Sequence, residues 1–434
     1  MDMAQISHRK KEELFQIRKS MLTIAIRDPN HAATLALLRV LLLLIHASTF
    51  VVYIADPETF RKDARYLVNQ FSSVNVVLFL ELIYVIIASV LSWSMKMKMQ
   101  HDNKIIGYMN LVIFTLAFTI VLAVPVYIIA TRNISCSMAI VMLFRQMWIL
   151  TKYISFLVEN NEQLHETCDK RGITLPTFKS MMYFLFAPTL IYRHSYPQSP
   201  KPTNWKLVAH LCVEMLLFVV LFLQYNVRFM IPIWEALGEG ILTVHVVHKL
   251  FLRSLCLSIM IALGIAYFLM HCWFNMWAEI LTFGDRRFYG NYWSARNMTE
   301  FFSNWNFTVK NWIIRYLYVP CIRITGSKLV AAVIVLLVSA VVHDYMYSFT
   351  LGFFFPYVMV FFILLSFPFF LSPSGAGNGT SVFARLRDQI LVATLMTMAS
   401  ALEYWAREKC ILSYESVPFQ SLITIRSISC YTFG

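Results

Sequence analysis

The sequence predicts an all-α polytopic membrane protein with about nine transmembrane helices. Three observations carry this. Of the 434 residues, 58% are hydrophobic and 14% charged, with a mean hydropathy of +0.61; soluble domains hold roughly 45–50% apolar and about 25% charged residues. Nine apolar stretches approach the ~20 residues that a helix needs to cross a bilayer. Lys and Arg divide unevenly between alternate connecting segments, 22 on one side and 7 on the other. By the positive-inside rule the N-terminus is then cytosolic and the C-terminal tail lies across the membrane. The net charge of +13 follows from this topology and is not a sign of nucleic-acid binding.

Residues 1–32 read as a polar, basic cytosolic segment (HRKKEELFQIRKS) without the apolar region of a cleavable signal. The first span is expected to act as its own signal. The polytopic core is expected over 33–405, with spans at 33–55, 74–93, 105–130, 135–158, 206–232, 248–280, 328–349, 351–371 and 388–405. Two long cytosolic loops interrupt it, 159–205 and 281–327. The first contains FAPTLIYRHSYPQSP, whose prolines Pro188, Pro197 and Pro200 exclude regular helix. The tail, 406–434, is expected in the lumen.

In the second loop Phe302, Trp305, Asn306, Val309, Trp312, Ile313 and Tyr316 recur at three- and four-residue spacing. This predicts one amphipathic helix in the headgroup zone, anchored by Trp and Tyr. Asn306 falls inside the apolar stripe, so its amide needs a partner there. A structural role and a catalytic one both remain open, and the structural one is the commoner for a buried Asn.

The span that opens at Lys328 meets His343 and Asp344 near its far end. Ser339, His343 and Tyr347 are four residues apart and share one face. Asp344 is rotated by about 100° and is expected to pair elsewhere, for example with Arg145 or Lys152. His343 lies about 22 Å beyond Lys328 at 1.5 Å per residue. The bland reading is a His–Asp pair that only ties helices together. Ionisable residues within spans are, however, rare and as a rule functional, and an imidazole takes a proton near neutral pH. That suits a general base acting on an alcohol dissolved in the membrane.

Eight cysteines show no CxxC and no metal-ligand spacing with His, so no metal site is expected. Cys136, Cys212, Cys256 and Cys272 fall within spans and read as small apolar fillers. Cys410 and Cys430 lie on the tail, on the oxidising side, and are expected to form a disulfide.

Five segments together resemble a known family: HCWFNMWAEILTFGDRRFYGNYWS (271–294), NWNFTVKNW (304–312), SAVVHDY (339–345), FAPTLIYRHSYP (186–197) and EYWAREKC (403–410). They are similar to the sterol O-acyltransferase (acyl-CoA:cholesterol acyltransferase) branch of the membrane-bound O-acyltransferases. The resemblance runs from about residue 140 to the C-terminus. It implies a nine-helix fold, residence in the endoplasmic reticulum membrane, and homodimers or homotetramers. It implies acyl transfer from acyl-CoA, as co-substrate and without a further cofactor, to a sterol hydroxyl. It gives His343 the part of catalytic base and sets Asn306, with Trp305, beside the thioester. It makes Ser339 a site residue, puts Lys328 near the CoA phosphates, and makes Tyr289, Asn291 and Trp293 part of a substrate-binding signature loop.

That signature reads FYxDWWN in the family and Phe288-Tyr289-Gly290-Asn291-Tyr292-Trp293-Ser294 here. The family's HDW is here Lys310-Asn311-Trp312. The loop keeps its aromatics and loses a charge and an amide. If the missing acid normally pairs with Arg286, Arg287 or Lys310, that cation is expected to be unpaired here. Two alternatives stand beside the sterol reading. One is an acyltransferase for another lipid alcohol, such as diacylglycerol; the other is a pseudoenzyme that binds sterol or acyl-CoA. A transporter is disfavoured, because inverted repeats and paired broken helices are not visible.

Overall fold

The computed structural model describes residues 15–360, apart from 26–28, 102, 133, 167–173, 233–242, 246–247, 254, 256–263, 265, 293–297, 352–355 and 357–358. These residues form helices and connecting segments with isolated β-bridges. Within hydrocarbon only helices and closed barrels satisfy their own backbone polar groups.

Helix α1 (Met21–Ala25) leads to α2 (Pro29–Ala55), which covers the first expected span. Helix α3 (Pro57–Gln70) follows, unannounced by any apolar run. Its start is set by Asp56, whose side chain accepts the N–H groups of Glu58 and Thr59, and by a proline in the first turn. Then come α4 (Val74–Gln100), α5 (Lys104–Thr131) and α6 (Cys136–Glu166). Helices α4 and α6 run about two turns past the expected spans, because the residues beyond the apolar runs remain good helix formers.

In the first long loop, α7 (Phe178–Phe186) begins with a reciprocal cap between Thr177 and Ser180. The proline-bearing stretch after it is irregular, as expected. Helix α8 (Trp205–Tyr225) continues through a π-helical turn, Asn226–Met230. Helix α9 is π-helical over Ala266–Trp273 and α-helical over Phe274–Ile280. Short helices α10 (Met298–Trp305), α11 (Phe307–Ile313) and α12 (Val319–Thr325) precede the long α13 (Lys328–Leu351).

Among the described residues five stretches are long and apolar enough to cross a membrane: Pro57–Gln100, Lys104–Thr131, Cys136–Leu164, Trp205–Met230 and Lys328–Thr350. The protein is thus an all-α polytopic membrane protein. Most of the expected span 351–371, all of 388–405, and Cys410 and Cys430 on the tail lie outside the described residues.

Helix α6 packs against α4, α5 and α13. Around it a core of Tyr84, Tyr153, Phe156, Phe184 and Tyr192 is closed to solvent. Four of its polar side chains, Gln146, Lys152, Ser155 and Asn160, are nonetheless 0% exposed. The first three are matched, and the Asn160 amide N–H donates to the Phe156 carbonyl at 2.7 Å. Lys152 Nζ donates to the carbonyls of Phe184 at 2.5 Å and Ala187 at 2.7 Å. These belong to the C-terminal end of α7, where helical carbonyls lack N–H partners and a cation is favoured. The ammonium also lies 4.7 Å from the centre of the Phe184 ring.

Arg145, about two turns earlier, is paired with Glu81 of α4, with Nη2 to Oε2 at 2.9 Å. The two cations expected to pair with Asp344 therefore have other partners. Asp344 is 4% exposed, and its Oδ2 accepts the backbone N–H of Met359 at 2.9 Å. The reason is directional: Asp344 points to the segment that follows its own helix.

Replacing Lys152 with Met should leave the Phe184 carbonyl without a donor inside the core and take from the Ala187 carbonyl one of its two, the other being the Thr189 N–H at 2.8 Å. The expected loss is about 2–4 kcal/mol, from two charge-assisted bonds partly offset by easier burial. Thermal unfolding in detergent checks this; a melting point equal to the parent's would contradict the capping role.

Candidate active site

The signature loop is joined to the segment 304–307 by its backbone. Gly290 N–H donates to the Asn304 carbonyl at 2.7 Å, and Phe307 N–H donates to the Phe288 carbonyl at 2.8 Å. A Cβ at position 290 would lie 2.5 Å from Asn304 Oδ1, so glycine is what permits the approach.

The segment so held is not the single helix expected from the apolar spacing. Asn306 has φ −144° and ψ 95°, and it separates α10 from α11. Its Oδ1 accepts the N–H of Val309 at 3.0 Å, which makes it the N-cap of α11. An Asn offers the first turn of a helix an acceptor that the backbone lacks, and this outweighs continuity of the apolar stripe. Trp305 meets Tyr292 edge to face, with ring centroids 4.9 Å apart. Tyr292 thereby fills the position where the family signature carries Trp. Trp293 lies outside the described residues.

Of the three cations near the altered signature, Arg286 is not left unpaired. Arg286 is bound to Glu279, Nη2 to Oε2 at 2.6 Å. Lys310 Nζ donates to the Ser303 carbonyl at 2.7 Å, at the end of α10. Arg287 and Lys310 both stand over the Phe307 ring, at 5.0 and 5.3 Å. Burial, and next the Arg287 guanidinium, hold the Lys310 ammonium below its ordinary range.

Tyr289 is buried, and its hydroxyl contacts His271 Nδ1 at 3.0 Å and Ser20 Oγ at 3.4 Å. Ser20 Oγ also reaches His271 Nδ1 at 3.2 Å. Burial pushes the Tyr289 phenol up to about 12, so it stays protonated as a hydrogen-bonding group. His271 and Ser20 were not singled out from sequence. His271, an ionisable residue inside an expected span, carried a signal for it; Ser20 carried none.

On α13, Lys328 is exposed at the first turn. Gly326, with φ +68°, ends α12 and reverses the chain into it. Ser339 and His343 do share a face, but the contact is with the backbone: His343 Nδ1 lies 2.7 Å from the Ser339 carbonyl. A carbonyl oxygen only accepts, so Nδ1 carries the hydrogen. The neutral ring then has its lone pair on Nε2, the nitrogen at the tip. His343 is exposed, in contrast to Asp344 beside it.

The described hydrogen bonds do not join His343 to Asn306 directly. Both are mounted on α6 through their neighbours. Trp312 Nε1 donates to the Thr151 carbonyl at 2.9 Å. Tyr316 Oη lies 2.8 Å from Ser155 Oγ and donates to Glu159 Oε1 at 2.5 Å. Glu159 also binds Arg193 and Arg315. Tyr345, two residues after His343, donates to Gln146 Oε1 at 3.0 Å.

A family model described as MBOAT, membrane-bound O-acyltransferase family, matches residues 107–374. Sterol O-acyltransferase 2 of Homo sapiens is 30% identical over 321 residues, 71% of this chain and 59% of its own length. Sterol O-acyltransferase 2 of Mus musculus is 31% identical over 333 residues, 73% of this chain and 60% of its own. Sterol O-acyltransferase 1 of Chlorocebus aethiops is 28% identical over 318 residues, covering 71% and 57%. The matches thus span less than two thirds of these relatives' lengths.

Asn306→Ala should destabilise the protein by about 1 kcal/mol, the usual cost of a lost N-cap. Asn306→Asp retains the acceptor and should unfold at the parent temperature. A destabilisation equal in both variants would sink the capping assignment.

Proposed function

Because the chain belongs to the membrane-bound O-acyltransferase family, we propose that it transfers a long-chain acyl group from acyl-CoA to a sterol hydroxyl, forming a steryl ester. The observation that carries the mechanism is the Nδ1 contact of His343 with a carbonyl, which leaves Nε2 as the basic nitrogen. Nε2 takes the proton of the sterol hydroxyl as its oxygen attacks the thioester carbonyl carbon. The carbon–sulfur bond then breaks, and the proton passes from the imidazolium to the departing CoA thiolate. No covalent acyl-enzyme is needed.

Negative charge develops on the thioester oxygen during attack and needs donors aimed at it. Asn306 engages its Oδ1 in the helix cap, so the Nδ2–H groups are what it offers a substrate. In this reading Trp305 and Tyr289 line the thioester region with Asn291 and Trp293 of the signature loop, and Lys328 meets the CoA phosphates from the cytosolic end of α13. Ser339 serves through its carbonyl. The sterol reaches His343 laterally from the bilayer. The enzyme works in the endoplasmic reticulum membrane as a homodimer or homotetramer, with the Cys410–Cys430 disulfide on its lumenal tail. Similarity to sterol O-acyltransferases supports this acceptor over diacylglycerol.

A second reading rests on one observation: the signature has Asn291 and Ser294 in place of an acid and an amide. A protein so altered would bind acyl-CoA or sterol without turning them over.

Release of CoA thiol from long-chain acyl-CoA, measured in microsomes with cholesterol, diacylglycerol or a long-chain alcohol, separates these readings. Cholesterol should be the productive acceptor. Binding of acyl-CoA without thiol release with any acceptor would favour the pseudoenzyme. His343→Ala and His343→Gln should both abolish turnover while the protein remains monodisperse, since neither side chain accepts a proton; a wild-type rate in either would end the general-base assignment. Asn306→Asp, stable by the preceding argument, should lower kcat by about 10²-fold, the scale seen when an oxyanion donor is lost.

A further inference from the structure

We infer that Gln146 is a positioning residue that sets the rotation of α13 and thereby aims His343. The inference rests on the acyl-transfer reading for its catalytic consequence, and on geometry alone for the placement of the helix.

Helix α5 contains a buried proline, Pro125. Proline has no N–H, so the carbonyl four residues earlier, that of Val121, loses its helical donor, and the proline ring disturbs the turn around it. Inside a span no water is at hand to replace that donor. Gln146 of α6 replaces it: Nε2 donates to the Val121 carbonyl at 2.9 Å and to the Leu122 carbonyl at 2.8 Å. Both amide hydrogens are thereby committed, and the side chain is 0% exposed. The amide plane is fixed by these two bonds, and so is the direction of Oε1. That oxygen accepts the Tyr345 hydroxyl of α13 at 3.0 Å.

Two residues on a helix are about 200° apart around its axis. Tyr345 therefore holds the back of α13 while His343 faces the other way. The other side chains buried on α13 are Ala331, Ala340 and Asp344; alanines resist rotation of a helix poorly, and Asp344 accepts the N–H of Met359, in the segment that follows α13 itself, so its bond does not set α13 against α5 or α6. Leu-like contacts would not specify the angle either, since lipid tails are equally apolar. The directional bond from Tyr345 to an immobilised amide does specify it. A misplacement of about 1 Å at a reacting group can cost about 10²-fold in rate, so a small rotation suffices to disable the base.

A purely structural role for Gln146 is the competing explanation, and Pro125 allows the two to be separated. Full-length protein is purified as wild type, Tyr345→Phe, Gln146→Leu, and Gln146→Leu with Pro125→Ala. Three quantities are read: thermal unfolding, kcat and KM with acyl-CoA and cholesterol, and the rate at which diethyl pyrocarbonate modifies His343, followed by peptide mass spectrometry with His194 as internal reference. Tyr345→Phe should keep the melting point and both KM values, lose about 10-fold in kcat, as expected for a displacement of less than 1 Å, and raise the relative reactivity of His343 at least twofold. Gln146→Leu should also melt lower. Adding Pro125→Ala returns an N–H donor to the Val121 carbonyl, so it should restore the melting point but neither kcat nor the reactivity of His343.

Unchanged reactivity of His343 in Tyr345→Phe overturns the inference, as does recovery of that reactivity on adding Pro125→Ala. A Tyr345→Phe protein that does not fold overturns it as well, since the contact would then hold the fold rather than set an angle. If the wild type transfers no acyl group, the proposed function fails, and the reactivity of His343 still decides this inference.

Discussion

A polar group buried in hydrocarbon must find its partner inside the protein, and in this molecule that demand is concentrated on one helix. Along α6, Gln146 binds α5 and α13, the Thr151 carbonyl binds α11, Lys152 binds α7, and Ser155 and Glu159 each bind both the irregular segment at Tyr192 and Arg193 and the turn that carries Arg315 and Tyr316. Apolar packing alone would hold these elements loosely, because side chains and lipid tails compete on equal terms. Hydrogen bonds with fixed directions give each element one place and one rotation. The charges cost most where they lack partners, and the observed arrangement leaves Arg145, Lys152 and Glu159 all engaged.

The candidate site inherits this order in two places. Between α9 and α13, the signature loop and the break at Asn306 are tied by two backbone bonds, so the amide of Asn306 is carried on a rigid corner instead of a continuous helix. The N-terminal segment adds to the same platform. Arg18 N–H donates to the Gly284 carbonyl, Arg286 N–H donates to the Arg18 carbonyl, and Gly284 N–H donates to the Pro197 carbonyl. Three segments distant in sequence are thus laid side by side behind Phe288 and Tyr289. Farther along α13, His343 has one ring nitrogen committed to its own helix, which leaves chemistry to the other. The altered signature fits this frame: Tyr292 keeps an aromatic edge against Trp305, and Arg286 has Glu279 as its partner. Loss of the family's acid therefore does not leave Arg286 unpaired.

Several features were legible in the amino-acid sequence because they depend on composition and local period. The apolar runs of α5, α8 and α13 mark their helices to within a few residues. His343 was legible for the same reason, since with Asp344 it interrupts a run that is otherwise apolar from Leu329 onward. Others misled. The spacing of Phe302 to Tyr316 promised one helix, but periodicity counts side chains and cannot weigh a single Asn that prefers to cap. Asp344 looked available to Arg145 or Lys152, yet both cations are engaged by partners far away in the chain.

By itself, then, the sequence determined the fold class, the topology of charge, and which residue types could do chemistry in the membrane. These follow from transfer energies and helical repeat, which act on each segment alone. Only the tertiary structure decided how distant segments are set against one another: that the signature loop is tied to 304–307, that Arg145 and Lys152 have partners other than Asp344, and that Gln146 links a proline-bearing turn of α5 to Tyr345 on α13. The reason is that a hydrogen bond between distant segments depends on distance and angle at both ends. Neither is written in the local pattern of either segment; both are fixed when α5, α6 and α13 pack.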